Sequence, residues 1–347
     1  MAFEHFMPLT MISRISLSSR TIIYLRPRPC LGSLTIPPEI ISRIIAYLDR
    51  PSLLSFALTC QTFLIHYLPQ NIQLSSTEKQ DFLALLEKDA PHYYFCHFCL
   101  KLHRWRRSWF RHFNSEIPHY YFKHRDTCRE KYGIKHNGMP TLLYPLARVI
   151  MNRHFYGAAH GPLPKVLSTS INDCGYWNGR HHTIWRARII GDELVISSDI
   201  TIYPDANQEN ARYTIVFAPH PLCPHLTTSA RSIQKQLPEL AARCSTGCFI
   251  PCHESIKSCP ECLTDYCITI TQQKKRWAIK VIAYNQLGAV RSPFDWEWSG
   301  MIRSRDRLER RQSRYLLGHR PGMVRHLWSK ADSILLEPTG EWAYLPN

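Results

Sequence analysis

The chain has 347 residues, 44% of them hydrophobic and 12% aromatic, enough to bury a sizeable core in two or three domains. This composition excludes a wholly disordered chain, and the formal charge of +16 attracts nucleic acid, acidic partners or anionic surfaces without selecting among them. No apolar run reaches the roughly eighteen residues needed to span a bilayer, so the chain reads as a soluble protein that needs no membrane.

Residues 1–32 contain one acid, Glu4, with Arg14, Arg20, Arg26 and Arg28 among hydroxyl-bearing and apolar residues. This segment is expected to be an unstructured basic leader on a cytoplasmic or nuclear protein. The same composition occurs in mitochondrial presequences, the lesser alternative. A charged start followed by an apolar core and a small-residue cleavage site is missing, so the thirteen cysteines do not read as a secreted disulfide framework. In a reducing compartment, closely spaced cysteines point to metal.

The first folded segment is expected over residues 33–75. Pro37 and Pro38 suit a helix start, where a missing amide donor costs little. Ile40, Ile41, Ile44, Ile45 and Leu48 then recur at three- and four-residue spacing and form a wide apolar face. Asp49-Arg50-Pro51 interrupts the pattern. A second helix is expected through Leu53, Leu54, Ala57 and Leu58, and a third through Phe63, Leu64, Tyr67 and Leu68. Three helices this short cannot cover one another, so part of the apolar surface is expected to meet another domain or a partner.

Ile36-Pro37-Pro38-Glu39-Ile40, followed by Leu53, Leu54, Leu58, Thr59 and Cys60, resembles an F-box. Isoleucine stands where the family's opening Leu-Pro pair has leucine. The resemblance implies docking onto the Skp-type adaptor of a cullin–RING ubiquitin ligase. By the same resemblance, the docking residues are Ile36, Pro37, Ile40, Ile44, Leu48, Leu53 and Leu58.

Over residues 76–140 the sequence predicts a helix and then a metal segment. Ser75 and Glu78 form a capping-box pair, and Phe82, Leu83, Leu85 and Leu86 carry an amphipathic helix to about Asp89, where Pro91 ends it. Cys96 and Cys99 follow, with the spacing that brings two thiolates to one tetrahedral ion. Cys128 is the favoured third ligand, and His124 or His103 the fourth. The F-box, the short helix and the Tyr-Tyr-x-Cys-x-x-Cys-x-x-Leu-His segment together resemble a group of fungal F-box proteins. A thioredoxin-like reading of the cysteine pair is disfavoured, because the pair follows a helix and a proline rather than a strand.

Residues 141–300 are expected to form a β-rich domain. Segments 180–190, 193–203, 211–220, 264–272 and 276–288 are rich in β-branched and aromatic residues and are bounded by turns such as Gly191-Asp192. Antiparallel pairing of neighbours is the economical topology. Six cysteines fall within the 24 residues 244–267, an insertion between strands expected to be pinned by metal. Cys248 with Cys252 and Cys259 with Cys262 offer two pairs of thiolates. Cys244, His253, Cys267, and Cys223 with His225, are the alternative ligands. Residues 301–347 are expected to hold an amphipathic terminal helix, beginning near 303, and a tail.

The fold class expected is therefore α+β: an N-terminal three-helix F-box-like bundle, a mainly antiparallel β-rich domain with cysteine-rich zinc sites, and a C-terminal helix. No phosphate-cradling glycine loop, Gly-x-Ser-x-Gly or His-Glu-x-x-His is present, and cysteine-rich sites with four ligands leave no open position for catalysis. The expected function is a non-enzymatic adaptor that joins a Skp-type adaptor and cullin scaffold to an unknown protein substrate, with structural Zn2+. The alternative is a zinc-dependent nucleic-acid-binding protein that uses the charge together with Trp105 and Trp109 among arginines. Asp306 and Glu309 interrupt the basic face of the terminal segment, so nucleic acid is the less favoured partner.

Overall fold

In a computed structural model, the described residues are 36–59, 61–67, 73–111, 133–134, 141–175, 179–204, 220–228, 252–273, 276–302 and 319–336. The expected strand at 211–220, all but its last residue, and the expected helix beginning near 303 lie outside them. The chain divides into two units, Met1–Leu74 and Ser75–Asn347.

The described part of the first unit holds three short helices, α1 (Pro38–Tyr47), α2 (Arg50–Ala57) and α3 (Gln61–Tyr67). Pro38 occupies the first turn of α1, and extended Leu48 ends it. Asp49 does more than interrupt the helical pattern. Its carboxylate accepts a hydrogen bond from Ser52 N at 2.9 Å and caps α2, whose first turn accommodates Pro51. The Phe56 ring stacks on Phe63 with centroids 4.5 Å apart, joining α2 to α3.

The second unit opens with α4 (Ser76–Asp89). Ser75 Oγ accepts from Glu78 N at 3.2 Å while Ser75 N donates to Glu78 Oε2 at 2.8 Å, a reciprocal capping box. A hairpin of β1 (Tyr93–Cys96) and β2 (Lys101–Arg104) follows, then a single turn, α5 (Ser108–Arg111). A two-residue pair, β3 (Gly133–Ile134) with β4 (Leu142–Leu143), leads into α6 (Tyr144–Tyr156). Every residue of α6 from Tyr144 to Asn152 is buried, so this helix runs inside the core rather than along a surface. Gly157, at φ +100°, ends it in a backbone region that favours glycine.

Among the described residues, six strands form the main sheet: β5 (Thr169–Gly175), β6 (Gly179–Ile190), β7 (Glu193–Pro204), β8 (Cys252–Ser258), β9 (Thr264–Gln273) and β10 (Arg276–Gln286). Their order is β5-β6-β7-β10-β9-β8, and every adjacent pair is antiparallel. Two three-stranded meanders therefore meet along β7 and β10. The β6–β7 turn falls at Gly191, φ +61°, and Asp192. Strands β5 and β8 were not expected from the sequence.

Alternation along the strands builds two faces. Leu194, Ile196, Ile200 and Ile202 of β7 join Tyr266, Ile268, Ile279, Val281 and Ala283 in the main core, which also contains α6 and the β1–β2 hairpin. Val195, on the opposite face, meets Leu263, Val324 and Trp328. Val324 and Trp328 belong to α8 (Met323–Leu336), which lies later in the chain than the terminal helix expected from sequence. A shorter helix, α7 (Trp296–Gly300), places the fully buried Trp298 edge-on to Tyr144, with centroids 5.4 Å apart.

Candidate docking face and metal centres

No residue of α1 is buried. Its apolar stripe divides: Ile41, Ile45 and Leu48 are half-buried, whereas Ile40 and Ile44 are 45% and 41% exposed. Tyr47, one turn beyond Ile44, is 91% exposed. Of the remaining residues singled out in sequence, Ile36, Leu53 and Leu58 are half-buried and Pro37 is exposed. Helical spacing sets Ile40, Ile44 and Tyr47 along one face. Aliphatic side chains that stay open on a helix this short leave apolar area for a partner to cover.

The first cysteine pair sits on the β1–β2 hairpin. Cys96 ends β1, Cys99 lies in the turn, and His103 stands on β2 opposite Tyr94. Leu100 N donates to Cys96 O at 2.9 Å, and Leu100 takes φ +48°, which curls the chain back after the second cysteine. The ligand atoms of Cys96, Cys99 and His103 lie within 4.8 Å of one another, so the three residues are able to hold a metal ion. Cys128 and His124 lie outside the described residues.

Behind this hairpin is a buried ionic network. Glu87 of α4 and Arg148 of α6 form a salt bridge and are 0% and 3% exposed. Glu87 Oε1 also accepts from Phe95 N at 2.9 Å, Arg148 Nε at 3.2 Å and Asn152 Nδ2 at 2.7 Å. Burial would pull the Arg148 pKa down, but the adjacent Glu87 charge and hydrogen bonds hold it above its ordinary value. This network fixes α4 and β1 to α6.

A second set converges at the turn between β8 and β9. Cys223, His225, Cys259 and Cys262 have ligand atoms within 4.8 Å of one another. Cys259 Sγ lies 3.8 Å from His225 Nδ1, and Cys223 Sγ lies 4.0 Å from the same nitrogen. All three sulfurs are buried, and the His225 side chain is 14% exposed. Hydrogen bonding among the thiols raises the pKa of Cys223 to about 12, and raises that of Cys262 as well. The same bonds lower that of Cys259.

This ligand set differs from the two cysteine pairs expected from sequence. Cys252 starts β8 and is registered with Ile270, whereas Cys259 follows the other end of that strand. The intervening extended chain separates the two positions by roughly 20 Å, too far to share an ion. Cys248 and Cys244 lie outside the described residues. Cys267 is buried on β9, and its Sγ lies 3.8 Å from Thr269 Oγ1. Cys223 and His225, weighed only as alternatives, are the residues that lie beside Cys259 and Cys262. Their sequence signal is the Cys-Pro step shared by Cys223-Pro224-His225 and Cys259-Pro260-Glu261-Cys262.

Trp105 and Trp109 are 6% and 8% exposed and pack in the core, so neither offers a stacking platform for bases. His182 Nε2 lies 3.0 Å from Ser170 Oγ on the neighbouring strand, and the His181 ring lies 5.3 Å from that of His220.

A family model for the F-box domain matches residues 33–65. No curated protein and no solved structure matches the chain. The matched residues contain α1 and α2 and most of α3, including Ile40 and Ile44.

Proposed function

We propose that this F-box-bearing chain is a non-enzymatic, substrate-recruiting adaptor of a Skp–cullin–F-box ubiquitin ligase, working in the cytoplasm or nucleus. An F-box domain is a docking module for a Skp-type adaptor, and the match at residues 33–65 is the observation that carries this reading. The open isoleucines of α1 support it, because they offer apolar area where such docking is expected. In this reading Ile36, Pro37, Ile40, Ile44, Leu48, Leu53 and Leu58 form the contact. The unit beginning at Ser75 presents an unidentified protein target. Turnover then follows from proximity, since a tethered target meets the ubiquitin-loaded partner at high effective concentration. Zinc in a structural role belongs to the same proposal: Cys96, Cys99 and His103, or a set completed by Cys128 and His124, would fix the hairpin that follows α4 in sequence.

The test is co-purification of the full chain with a Skp-type adaptor. Burial of an isoleucine is worth about 1.5–3 kcal/mol. Ile40→Asp and Ile44→Asp should therefore each weaken the complex about tenfold or more. Both positions are substantially exposed, so the variants should keep the circular dichroism of the parent. Undiminished binding by both variants would remove α1 from the interface.

A further inference from the structure

We infer that Cys223, His225, Cys259 and Cys262 form a closed, tetrahedral zinc centre that staples the β7–β8 connection to the β8–β9 turn. The inference stands apart from the docking role, and failure of either leaves the other intact.

Two backbone turns present the ligands. In the first, Pro221 bridges Thr227, Leu222 N donates to Leu226 O at 2.9 Å, and Leu226 N donates to Cys223 O at 3.3 Å. In the second, Cys259 N donates to Thr264 O at 2.9 Å and Thr264 N to Cys262 O at 2.8 Å. Glu261 N points at Cys259 Sγ from 3.3 Å. An amide aimed at sulfur stabilises thiolate, the form that binds metal.

The dimensions fit the ion. Bond lengths of about 2.3 Å to sulfur and 2.0 Å to nitrogen put tetrahedral ligand atoms about 3.5–3.8 Å apart. The two sulfur–nitrogen separations, 3.8 and 4.0 Å, need only a few tenths of an ångström of contraction. His225 turns Nδ1 toward the sulfurs and leaves Nε2 facing Glu261 Oε2 at 4.0 Å. At that distance the carboxylate is too far for a hydrogen bond, but its charge near the far ring nitrogen favours the tautomer whose Nδ1 lone pair is free for metal. Three thiolates and one imidazole select a soft or borderline cation over magnesium or calcium, and four protein ligands leave no open position. The centre is therefore structural.

Its neighbours explain what it holds. Asn285 Nδ2, at the end of β10, donates to Leu222 O at 3.2 Å and to Thr264 Oγ1 at 2.8 Å. Thr264 Oγ1 lies 3.1 Å from Cys262 Sγ and 3.7 Å from Met301 Sδ, beyond the end of α7. One ion thus gathers the first turn, the β8–β9 turn, β10 and the segment after α7. Its ligands Cys259 and His225 are 34 residues apart in sequence, a closure that local structure does not supply.

Elemental analysis and cobalt substitution of the full chain test the assignment. In a Cys96→Ser/Cys99→Ser background, one equivalent of zinc should remain per chain. Cys223→Ser or Cys259→Ser should abolish it, whereas Cys267→Ser should not. Cobalt should give intense visible d–d bands with thiolate charge transfer. His225→Cys should retain the metal and strengthen the charge-transfer band, and Glu261→Gln should weaken zinc binding about tenfold. These last two variants keep four ligands and guard against simple misfolding. Zinc-free protein in that background, or zinc unaffected by loss of Cys223, would overturn the proposal.

Discussion

Asp265 has no solvent exposure, yet three hydrogen-bond donors and a histidine ring surround its carboxylate. Val324 N and Arg325 N donate at 2.7 and 3.1 Å, Ser258 Oγ donates to Oδ1, and His319 Nε2 stands 3.3 Å away. Burial alone would raise its pKa, but these hydrogen bonds together hold it below 3.8. A carboxylate lowered in the fold contributes stability that is fully present above the unfolded value. That stability is lost as the pH falls through the folded value. Asp265→Asn should therefore cost about 1–3 kcal/mol near neutrality. The gap from the parent should narrow below about pH 4 in urea denaturation. A gap that stays constant on acidification would mean that the carboxylate's charge contributes nothing. At Glu87, removal of the carboxylate strands Arg148 in the core, so Glu87→Ala should cost about 3–5 kcal/mol. The apolar pair Glu87→Leu/Arg148→Met should be milder than Glu87→Ala, and a double-mutant cycle measures the difference.

Among the elements, α4 and α8 show two ways of starting a helix. The cap of α4 is local, since Ser75 and Glu78 lie in the same turn, and that start is legible in sequence. The first amides of α8 are instead satisfied by Asp265 on β9, a donor–acceptor match visible only after the sheet forms. The Trp328 ring of α8 lies under the Arg188 guanidinium, 4.3 Å from it, and packs near Tyr284. Trp328→Ala should cost about 3–5 kcal/mol by denaturant titration. A loss below about 1 kcal/mol would show that α8 does not cover the second sheet face. Core helix α6 was missed although Pro145 and Gly157 mark its ends. Its polar residues Arg148 and Asn152 look outward-facing in a linear reading, and only their pairing with Glu87 lets them be buried.

For the whole molecule, the division at Leu74/Ser75 assigns the proposed docking residues to the first unit and the proposed metal ligands to the second. A strong zinc chelator should lower the thermal midpoint of the second unit by several degrees. Capture of a Skp-type adaptor by the full chain should survive the same treatment. Loss of both would show that the docking unit depends on the metal-bearing unit for its fold.

Local pattern by itself determined the F-box-like stretch, the capped α4, the strands β6, β7, β9 and β10, and the concentration of metal-ligand residue types. Each depends on spacing within one turn or on alternation within one strand, which are properties of neighbouring residues. Tertiary structure decided which thiols meet. Cys252 is nearer than Cys223 to Cys259 in sequence, but an extended strand carries the former away while a distant turn folds the latter in. It also decided that Trp105 and Trp109 are core rather than surface, because α6 and the sheet supply the apolar neighbours that bury them. Sequence proximity sets which ligands are present, and strand geometry sets which of them converge.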